Sequence, residues 1–363
     1  MGGRCTTGET FTRAVRRQSP PVLPVAFCIS TQYICARYGV RVKDYLYDAE
    51  TKLRVQCTFQ DDYPEALLVP GIYPDFGCGV VEPSAFGCRL VGRENNPLCP
   101  EPVCPQPFGP QPGNGGLEAV DRLKMPDPEK DGLLPQVLEQ YRYYRDNLDM
   151  KYRDEYGYLD GFAFCMGPVE TAALVAGYEN FLIGMHDCPE RIHRLLNMTT
   201  DFTLMWLRAQ EKINGGLKRI YLFDHTPARV GPDHFEEFVF SPLRTVCSAY
   251  PDALKIFHIC ERNILHVLGR LGDIGIDVLY FAADLEEVKG ALGDRVSLMG
   301  NISNVLLMNG NPEQVADACG RCIEAGADRE GGFVLAPSGA FFPGTPEENI
   351  RRLIEAPNDN SKK

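Results

Sequence analysis

Short apolar segments alternate with helix-like segments through most of this chain, and this alternation restricts the possible folds more than any other feature. Because each apolar run is followed by a helical pattern, the runs are expected to be parallel strands covered by helices. Eight runs have this character, namely 22–28, 66–69, 161–165, 219–223, 254–259, 278–282, 296–299 and 332–336. Eight such units predict an α/β fold of the (β/α)8 TIM barrel type, with a doubly wound open sheet as the alternative.

The helical patterns have the length and spacing that a barrel requires. They cover residues 10–17, 31–38, 49–61, 134–153, 169–185, 189–214, 235–249, 263–271, 285–292, 312–325 and 345–356. No GxGxxG or Walker sequence follows the first apolar run. This argues against an open nucleotide-binding sheet, because such sheets bind phosphates through a glycine-rich turn at that point.

The alternation is interrupted by a Pro-, Gly- and Cys-rich insert at about residues 71–132, between the second and third strands. Such a composition supports neither a long helix nor a central strand. Residues 1–363 are therefore interpreted as one barrel domain with an elaborated loop that covers a site, and a disordered insert is the alternative. Cys99 and Cys104 have a spacing that a metal site can use, but no second pair lies nearby, and unpaired loop cysteines are the better explanation.

Composition excludes several classes of partner. The formal net charge is -12 with a pI near 5.1, and the 37 Lys and Arg residues are scattered, so neither nucleic acid nor an anionic membrane is expected as a partner. No run of 18 apolar residues and no signal-peptide h-region is present, which predicts a cytoplasmic protein. The 14 cysteines are then expected to stay reduced.

Polar and metal-binding residue types follow the predicted strands, where barrel enzymes carry their chemistry. Asp224 and His225 are candidate catalytic residues, because a carboxylate and an imidazole at one strand end can orient a substrate or move a proton. Candidate substrate-binding residues at the other strand ends are Cys165, Asp284, Asn301 and Ser338. Structural roles stay open as alternatives, since Cys28 and Cys165 can be core thiols, and Asp284 and Asn301 can cap the following helices.

His258 and Cys260 end the fifth predicted strand and are separated by one residue. Strand alternation places both side chains on the same face, where an imidazole and a thiolate form half of a zinc site. Two core residues are the other interpretation. A second cysteine pair, Cys319 and Cys322, has redox-motif spacing but lies inside a predicted helix, so helix packing explains it better.

Several short motifs recur in an order and spacing that extend over nearly the whole chain. They are VLPV at 22–25, AFG at 85–87, GP at 167–168, DCPE at 187–190, HIC at 258–260, MGNI at 299–302 and TPEENI at 345–350. Taken together they resemble the uroporphyrinogen decarboxylase superfamily, and in particular its corrinoid-linked methyltransferase branch. The resemblance implies a (β/α)8 barrel, in agreement with the strand count.

The sequence departs from both branches of this superfamily, from one in a whole segment and from the other at a single position. The decarboxylases carry an Arg-rich segment of the type MRQAGRY after the first strand, and here only Arg37 and Tyr38 are similar to it. The thiol-methylating branch binds zinc through HxC and a later cysteine, and Gly339 stands where that cysteine is expected. Either an oxygen or nitrogen donor completes the site, with Asp224, His225 and Asp284 as candidates, or no zinc is bound.

The resemblance implies a methyltransferase that works with a separate corrinoid protein. Its expected reaction moves a methyl group between a small substrate, or tetrahydrofolate, and the cobalt of the corrinoid. A decarboxylase-like lyase that acts on a different carboxylate is the alternative, and a binding module without catalytic activity is a third possibility.

Overall fold

The computed structural model describes residues 5–77, 79–92, 98–104, 116–293 and 295–360 of the 363-residue chain. Its strands are β1 Ala26–Phe27, β2 Leu67–Leu68, β3 Arg89–Val91, β4 Cys99–Glu101, β5 Phe162–Met166, β6 Arg219–Phe223, β7 Leu254–Ile259, β8 Val278–Phe281, β9 Ser297–Ile302 and β10 Phe333–Pro337. Strands β5 to β10 form one parallel sheet in chain order. The strands β1 and β2 form a parallel pair, which joins β10 through a bridge between Val25 and Leu335, and a second bridge links Ile29 to Phe341 beyond β10.

All eight predicted strands are present in the predicted order, and the (β/α)8 barrel prediction is confirmed. The sheet follows the chain without the reversal of strand order that defines a doubly wound fold. The first two strands are shorter than predicted. Pro24 and Pro70 flank this pair and have no N–H to donate to a neighbouring strand, which limits the length of the ladder.

Three predicted helices are interrupted, and the helix predicted at 263–271 is reduced to a 3-10 helix at Leu265–Val267 followed by one α-helical turn. The other helices agree with the sequence patterns, and the helices surround the barrel. Their bounds are α1 Thr7–Val15, α2 Thr31–Tyr38, α3 Val42–Tyr47, α4 Ala49–Asp62, α5 Val81–Ala85, α6 Leu134–Asn147, α7 Met150–Tyr156, α8 Pro168–Ala176, α9 Tyr178–Asp187, α10 Pro189–Asn214, α11 Pro232–His234, α12 Ser241–Ser248, α13 Leu268–Leu271, α14 Leu285–Leu292, α15 Asn304–Asn309, α16 Pro312–Gly326 and α17 Glu347–Asn360. The pattern at 134–153 becomes two helices because Leu148 and Asp149 are extended, and the Asp149 carboxylate caps α7 by accepting from Lys151 N. The pattern at 169–185 is broken at Gly177, and the segment Phe235–Phe240 is π-helical rather than α-helical.

The insert contains more regular structure than its composition indicates. Its described part holds the short helix α5, the antiparallel hairpin of β3 and β4, and a 3-10 helix at Gly116–Arg122. Cys99 is exposed on this hairpin and Cys104 is buried after it. The segments 93–97 and 105–115, which include much of the Pro- and Gly-rich sequence, lie outside the described residues.

The barrel strands are buried on both faces, which explains why their sequences are continuous apolar runs rather than alternating ones. Every residue of β7, β8 and β10 is buried. Cys319 and Cys322 lie buried on α16, as expected for packing residues. Within the described part of the chain, no helix combines the length and the apolar character needed to cross a membrane.

One lysine, Lys52 on α4, is fully buried beside the barrel. Its Nζ donates to Gln140 Oε1 at 2.7 Å and lies 3.9 Å from the centroid of the Phe76 ring. Burial lowers the pKa of Lys52 to about 7, although the nearby Asp75 and Cys35 partly oppose the shift. The unfolded chain keeps this lysine protonated up to about pH 10.4, so folding releases a proton between the two values.

We expect this proton release to appear as a rise of stability with pH. The free energy of unfolding gains about 2 kcal/mol from Lys52 between pH 7 and pH 9, because the unfolded state binds one proton more in that window. Lys52→Met should reduce the rise by that amount in urea unfolding curves, while Lys43→Met, at an exposed lysine on α3, should leave it unchanged. Equal pH slopes for wild type and Lys52→Met would contradict the assignment.

Candidate active site at the carboxyl ends of the strands

Two neighbouring strands bring four of the predicted site residues together. In the parallel register Phe223 of β6 lies opposite His258 of β7, so the residues that follow each strand meet at the same edge. Asp224 N donates to His258 O at 3.1 Å, and the rings of His225 and His258 have their centroids 5.7 Å apart. Asp224, His225, His258 and Cys260 therefore form one cluster at the carboxyl ends of β6 and β7.

His258 is held from several sides by side chains that point into the barrel. Its Nδ1 shares a short hydrogen bond with the Tyr221 hydroxyl, and its Nε2 shares another with Cys260 Sγ. The ring stacks on Tyr280 with centroids 4.5 Å apart and an interplanar angle of 29°. The direction of the two hydrogen bonds depends on the tautomer of His258, but either tautomer links Tyr221, His258 and Cys260 in one line.

The imidazoles of this cluster are uncharged near neutral pH. Burial lowers the pKa of His258 well below its usual value, and the neighbouring His225 lowers it further. Burial also lowers the pKa of His225. Cys260 is half-buried, so of the three groups in this line its thiol is the one that solvent at the mouth of the barrel can reach.

Asp224 is fully buried, and both of its carboxylate oxygens accept hydrogen bonds from the backbone. Oδ2 accepts from Glu170 N in the first turn of α8, and Oδ1 accepts from Thr226 N, both at 3.1 Å. Burial raises the pKa of Asp224 well above its usual value, and the adjacent Glu170 carboxylate adds to the shift. Asp224, which follows β6, thus caps the N-terminus of α8. Its catalytic role stays a prediction.

Glu170 is the partner that organises the turn after β6. Its Oε2 accepts from His225 N at 3.0 Å, from Thr226 N at 3.1 Å and from Thr226 Oγ1 at 2.9 Å. Its Oε1 accepts a short hydrogen bond from the Tyr178 hydroxyl. A Cβ at Gly167 would lie 2.2 Å from Asp224 Oδ2, so only glycine lets α8 approach the carboxylate this closely. The Glu170–Asp224 pair therefore fixes the backbone that carries His225.

Two of the predicted substrate-binding residues occupy positions with evident structural roles. Cys165 has no exposed surface, and strand alternation puts it on the face of β5 opposite to Phe164 and Met166. Asp284 is exposed and caps α14, because its Oδ1 accepts from Glu287 N at 3.0 Å. Asp284 thus caps the following helix, as the alternative interpretation of the sequence proposed. Substrate binding by Cys165 or by Asp284 stays a prediction.

Asn301 and Ser338 are half-buried at the ends of β9 and β10. Asn301 does not cap a helix, since its Nδ2 donates to Ala283 O while its Oδ1 accepts from Cys322 Sγ at 3.7 Å. Ser338 N donates to Ile302 O at 2.7 Å, which extends the pairing of the two strands. Both side chains stay candidates for substrate contact.

Sequence reasoning missed four residues of this site: Glu170, Tyr221, Tyr280 and Asp75. Glu170 carried a signal, because it is the one charged residue in the apolar helix PVETAALVA. Tyr221 and Tyr280 could have been found by alternation, since each lies on the same face of its strand as a neighbour of His258. Asp75 borders the site, because its carboxylate helps to raise the pKa of Cys28, a thiol that hydrogen-bonds to Tyr221. It follows β2 in the irregular insert and had no local signal.

The residues of this site do not fit a catalytic zinc ion. Such an ion takes three protein donors, and among the described residues no group of three or more His, Cys, Asp or Glu side chains is arranged to hold a metal. His258 and Cys260 supply two donors, while the oxygens of Asp224 are occupied by backbone N–H groups and Asp284 caps a helix. His225, the remaining candidate, meets the His258 ring edge-on and is not grouped with the pair as a third donor. We therefore derive no chemical step through zinc.

A (β/α)8 barrel with a thiol, imidazoles and carboxyl groups at its strand ends has the features of an enzyme active site. The chain belongs to the uroporphyrinogen decarboxylase (URO-D) family, whose sequence profile matches residues 6–359. The family prediction made from the motifs is thereby confirmed.

Individual relatives include both a methyltransferase and a decarboxylase. The chain is 29% identical over 195 residues to the methylcobamide:CoM methyltransferase MtaA of Methanosarcina barkeri, an alignment covering 52% of this chain and 55% of that protein. The chain thus spans about half the length of several curated relatives it matches. A uroporphyrinogen decarboxylase of Chlorobaculum parvum is 24% identical over 370 residues, with 98% of each chain covered.

A solved structure described as a methyltransferase from Methanosarcina mazei has the same fold. Its TM-score is 0.80 at 19% identity, and the match covers 99% of this chain and 100% of the other. At this level of identity the similarity supports the barrel and leaves the reaction open.

Proposed function

We propose that this chain is a methyltransferase that moves a methyl group between a small substrate and the cobalt of a corrinoid carried by a separate protein. The observation that carries the proposal is the hydrogen-bonded line of Tyr221, His258 and Cys260 at the carboxyl ends of the strands, in which burial lowers the pKa of His258 and keeps its imidazole uncharged. Such a line suits a weakly polar methyl-transfer site better than a site for a substrate with many carboxylates. The similarity to a methylcobamide:CoM methyltransferase supports the same reading.

The proposed chemistry assigns a proton-transfer role to Cys260. When a methyl group leaves nitrogen or oxygen, the bond to the methyl carbon breaks and the heteroatom keeps the electron pair, so it needs a proton. The corrinoid supplies the cobalt that exchanges the methyl group. The half-buried Cys260 thiol can donate the proton and take another from water at the mouth of the barrel, while His258, held by Tyr221, fixes the position of the thiol. When transfer runs in the opposite direction, the proton of the acceptor passes to Cys260 Sγ while the proton of the thiol passes to the uncharged imidazole of His258.

His225 is proposed to orient the substrate. Among the described residues its Nδ1 and the hydroxyl of Tyr280 are buried polar atoms without a hydrogen-bond partner. Both lie beside the His258 ring, at centroid distances of 5.7 Å and 4.5 Å for the two side chains. A polar group of the substrate that bonded to either atom would be placed next to Cys260.

The position of Arg37 argues against uroporphyrinogen as the substrate. Arg37 is the only cationic residue in the segment 28–38, and its Nη2 forms ion pairs with Asp62 at 3.1 Å and Glu347 at 3.5 Å. Its guanidinium also lies 5.3 Å from the centroid of the Tyr63 ring. With its charge engaged in this way, the segment provides no cationic clamp for several carboxylates.

A carboxy-lyase acting on a different carboxylate is the second candidate function. The observation in its favour is the decarboxylase relative that aligns with 98% of this chain. Such an enzyme would need no corrinoid partner.

Methyl transfer from methylcobalamin to tetrahydrofolate or to small thiols tests the proposal against this alternative. The absorbance of methylcobalamin should fall with at least one acceptor in the presence of the protein, and carboxylate substrates should release no carbon dioxide. Carbon dioxide release without any loss of methylcobalamin would support the lyase.

A further inference from the structure

We infer that this barrel does not hold a catalytic zinc ion, that Gly339 is the position responsible, and that His258 and Cys260 work as a metal-free thiol–imidazole pair. The inference is independent of the proposed methyl transfer, because metal binding is measured without turnover. It concerns only whether His258 and Cys260 bind a metal ion.

Both donors of the pair are already committed to protein partners. His258 Nδ1 bonds to the Tyr221 hydroxyl, and His258 Nε2 contacts Cys260 Sγ directly, on the side that a shared metal ion would occupy. Cys28, the other thiol near Tyr221, is buried, and its burial raises its pKa to about 12. That thiol has Tyr221 as its hydrogen-bond partner and is not grouped with His258 and Cys260 as a third donor.

Gly339 is the residue whose missing side chain faces this pair. A Cβ built on Gly339 would lie 3.1 Å from Cys260 Sγ and 3.2 Å from Asn304 Nδ2. Gly339 follows the end of β10, where Ser338 N donates to Ile302 O at 2.7 Å, so strand pairing fixes this part of the backbone. Any side chain at this position would point at Cys260.

A thiol at position 339 would supply the third donor. Its Cβ would require the flexible ends of Cys260 and Asn304 to move by a few tenths of an ångström, which side-chain rotation allows. With Sγ of the new residue beside Cys260 Sγ and His258 Nε2, the set becomes one imidazole and two thiolates, a set of donors used by catalytic zinc sites. Because glycine has no side-chain donor, His258 and Cys260 are left without the third ligand that a zinc ion requires.

Zinc content and Co²⁺ titration test the inference, since Co²⁺ bound to thiolates gives characteristic absorption bands. Wild type and Cys260→Ala should retain the same small amount of zinc after dialysis and show the same weak Co²⁺ absorption. Gly339→Cys should bind about one zinc ion per chain, and Gly339→Ala should behave like wild type. The double variant Gly339→Cys with Cys260→Ala should lose the gained ion.

Two results would overturn the inference. One zinc ion per wild-type chain that disappears in Cys260→Ala would show that the pair already binds metal. If Gly339→Cys folds but binds no more zinc than wild type, position 339 is not responsible for the missing metal. The comparison of wild type with Cys260→Ala stands even when Gly339→Cys does not fold, and neither result depends on methyl transfer.

Discussion

Replacing Cys260 with alanine is expected to slow methyl transfer from methylcobalamin about 100-fold or more, because the variant lacks the proposed proton-transfer group. The thiol lies half-buried at the mouth of the barrel and contacts His258 Nε2 on its inner side. Alanine removes the sulfur while leaving β7 and its pairing with β6 and β8 unchanged, so the protein should stay folded. The initial rates of wild type and Cys260→Ala, measured by methylcobalamin absorbance, give the comparison.

Cys5→Ala is the matched control for this measurement. Cys5 is also half-buried, but it lies before α1, where it shares a surface with residues that precede the strands β5 to β7, at the opposite end of the barrel. This control should transfer methyl groups at the wild-type rate. Equal rates for wild type and Cys260→Ala would remove Cys260 from the mechanism.

Glu170→Ala is expected to lower the free energy of unfolding by about 3–5 kcal/mol. The Glu170 side chain is 4% exposed and accepts hydrogen bonds from His225 N, Thr226 N, Thr226 Oγ1 and the Tyr178 hydroxyl. Alanine leaves His225 N, Thr226 Oγ1 and the Tyr178 hydroxyl without this acceptor, while Thr226 N keeps its hydrogen bond to Asp224 Oδ1. Relief of the repulsion from Asp224 offsets only part of this loss, because burial is the main cause of the raised pKa of Asp224.

Urea unfolding of two further variants makes this prediction specific. Glu170→Gln keeps an acceptor oxygen and the same shape, so we expect it to lose only about 1–2 kcal/mol. Glu179→Ala, at an exposed position on the adjacent helix α9, should change stability by less than about 0.5 kcal/mol. A loss of less than about 1 kcal/mol in Glu170→Ala would show that the turn after β6 does not depend on this carboxylate.

The strand pattern predicted the fold because the physical cause of that pattern is local. Each strand of the barrel is buried on both faces, as β7 illustrates, and therefore appears as an uninterrupted apolar run followed by a helix. The ends of elements were less predictable. The split between α6 and α7 depends on a single extended turn with the cap Asp149, which the helical pattern through 134–153 conceals.

The candidate site was predicted only where its residues follow one another in the chain. His258 and Cys260 are two positions apart, and strand alternation was sufficient to place them together. The contact between Glu170 and His225 joins residues 55 positions apart, and its hydrogen bonds exist only once α8 and β6 are packed. Asp224 was recognised as important, but its burial and its bonds to the backbone depend on the same tertiary contact.

The fate of the methyl group itself tests the central claim most directly. Methylcobalamin with a ¹³C-labelled methyl group is incubated with wild-type protein and a panel of small thiols, amines, phenols and tetrahydrofolate, and the products are followed by NMR. Our account predicts that the label appears on one of these acceptors, and that Cys260→Ala transfers it about 100-fold more slowly. Label that stays on cobalt with every acceptor, together with decarboxylation of a carboxylate substrate by the same protein, would contradict it.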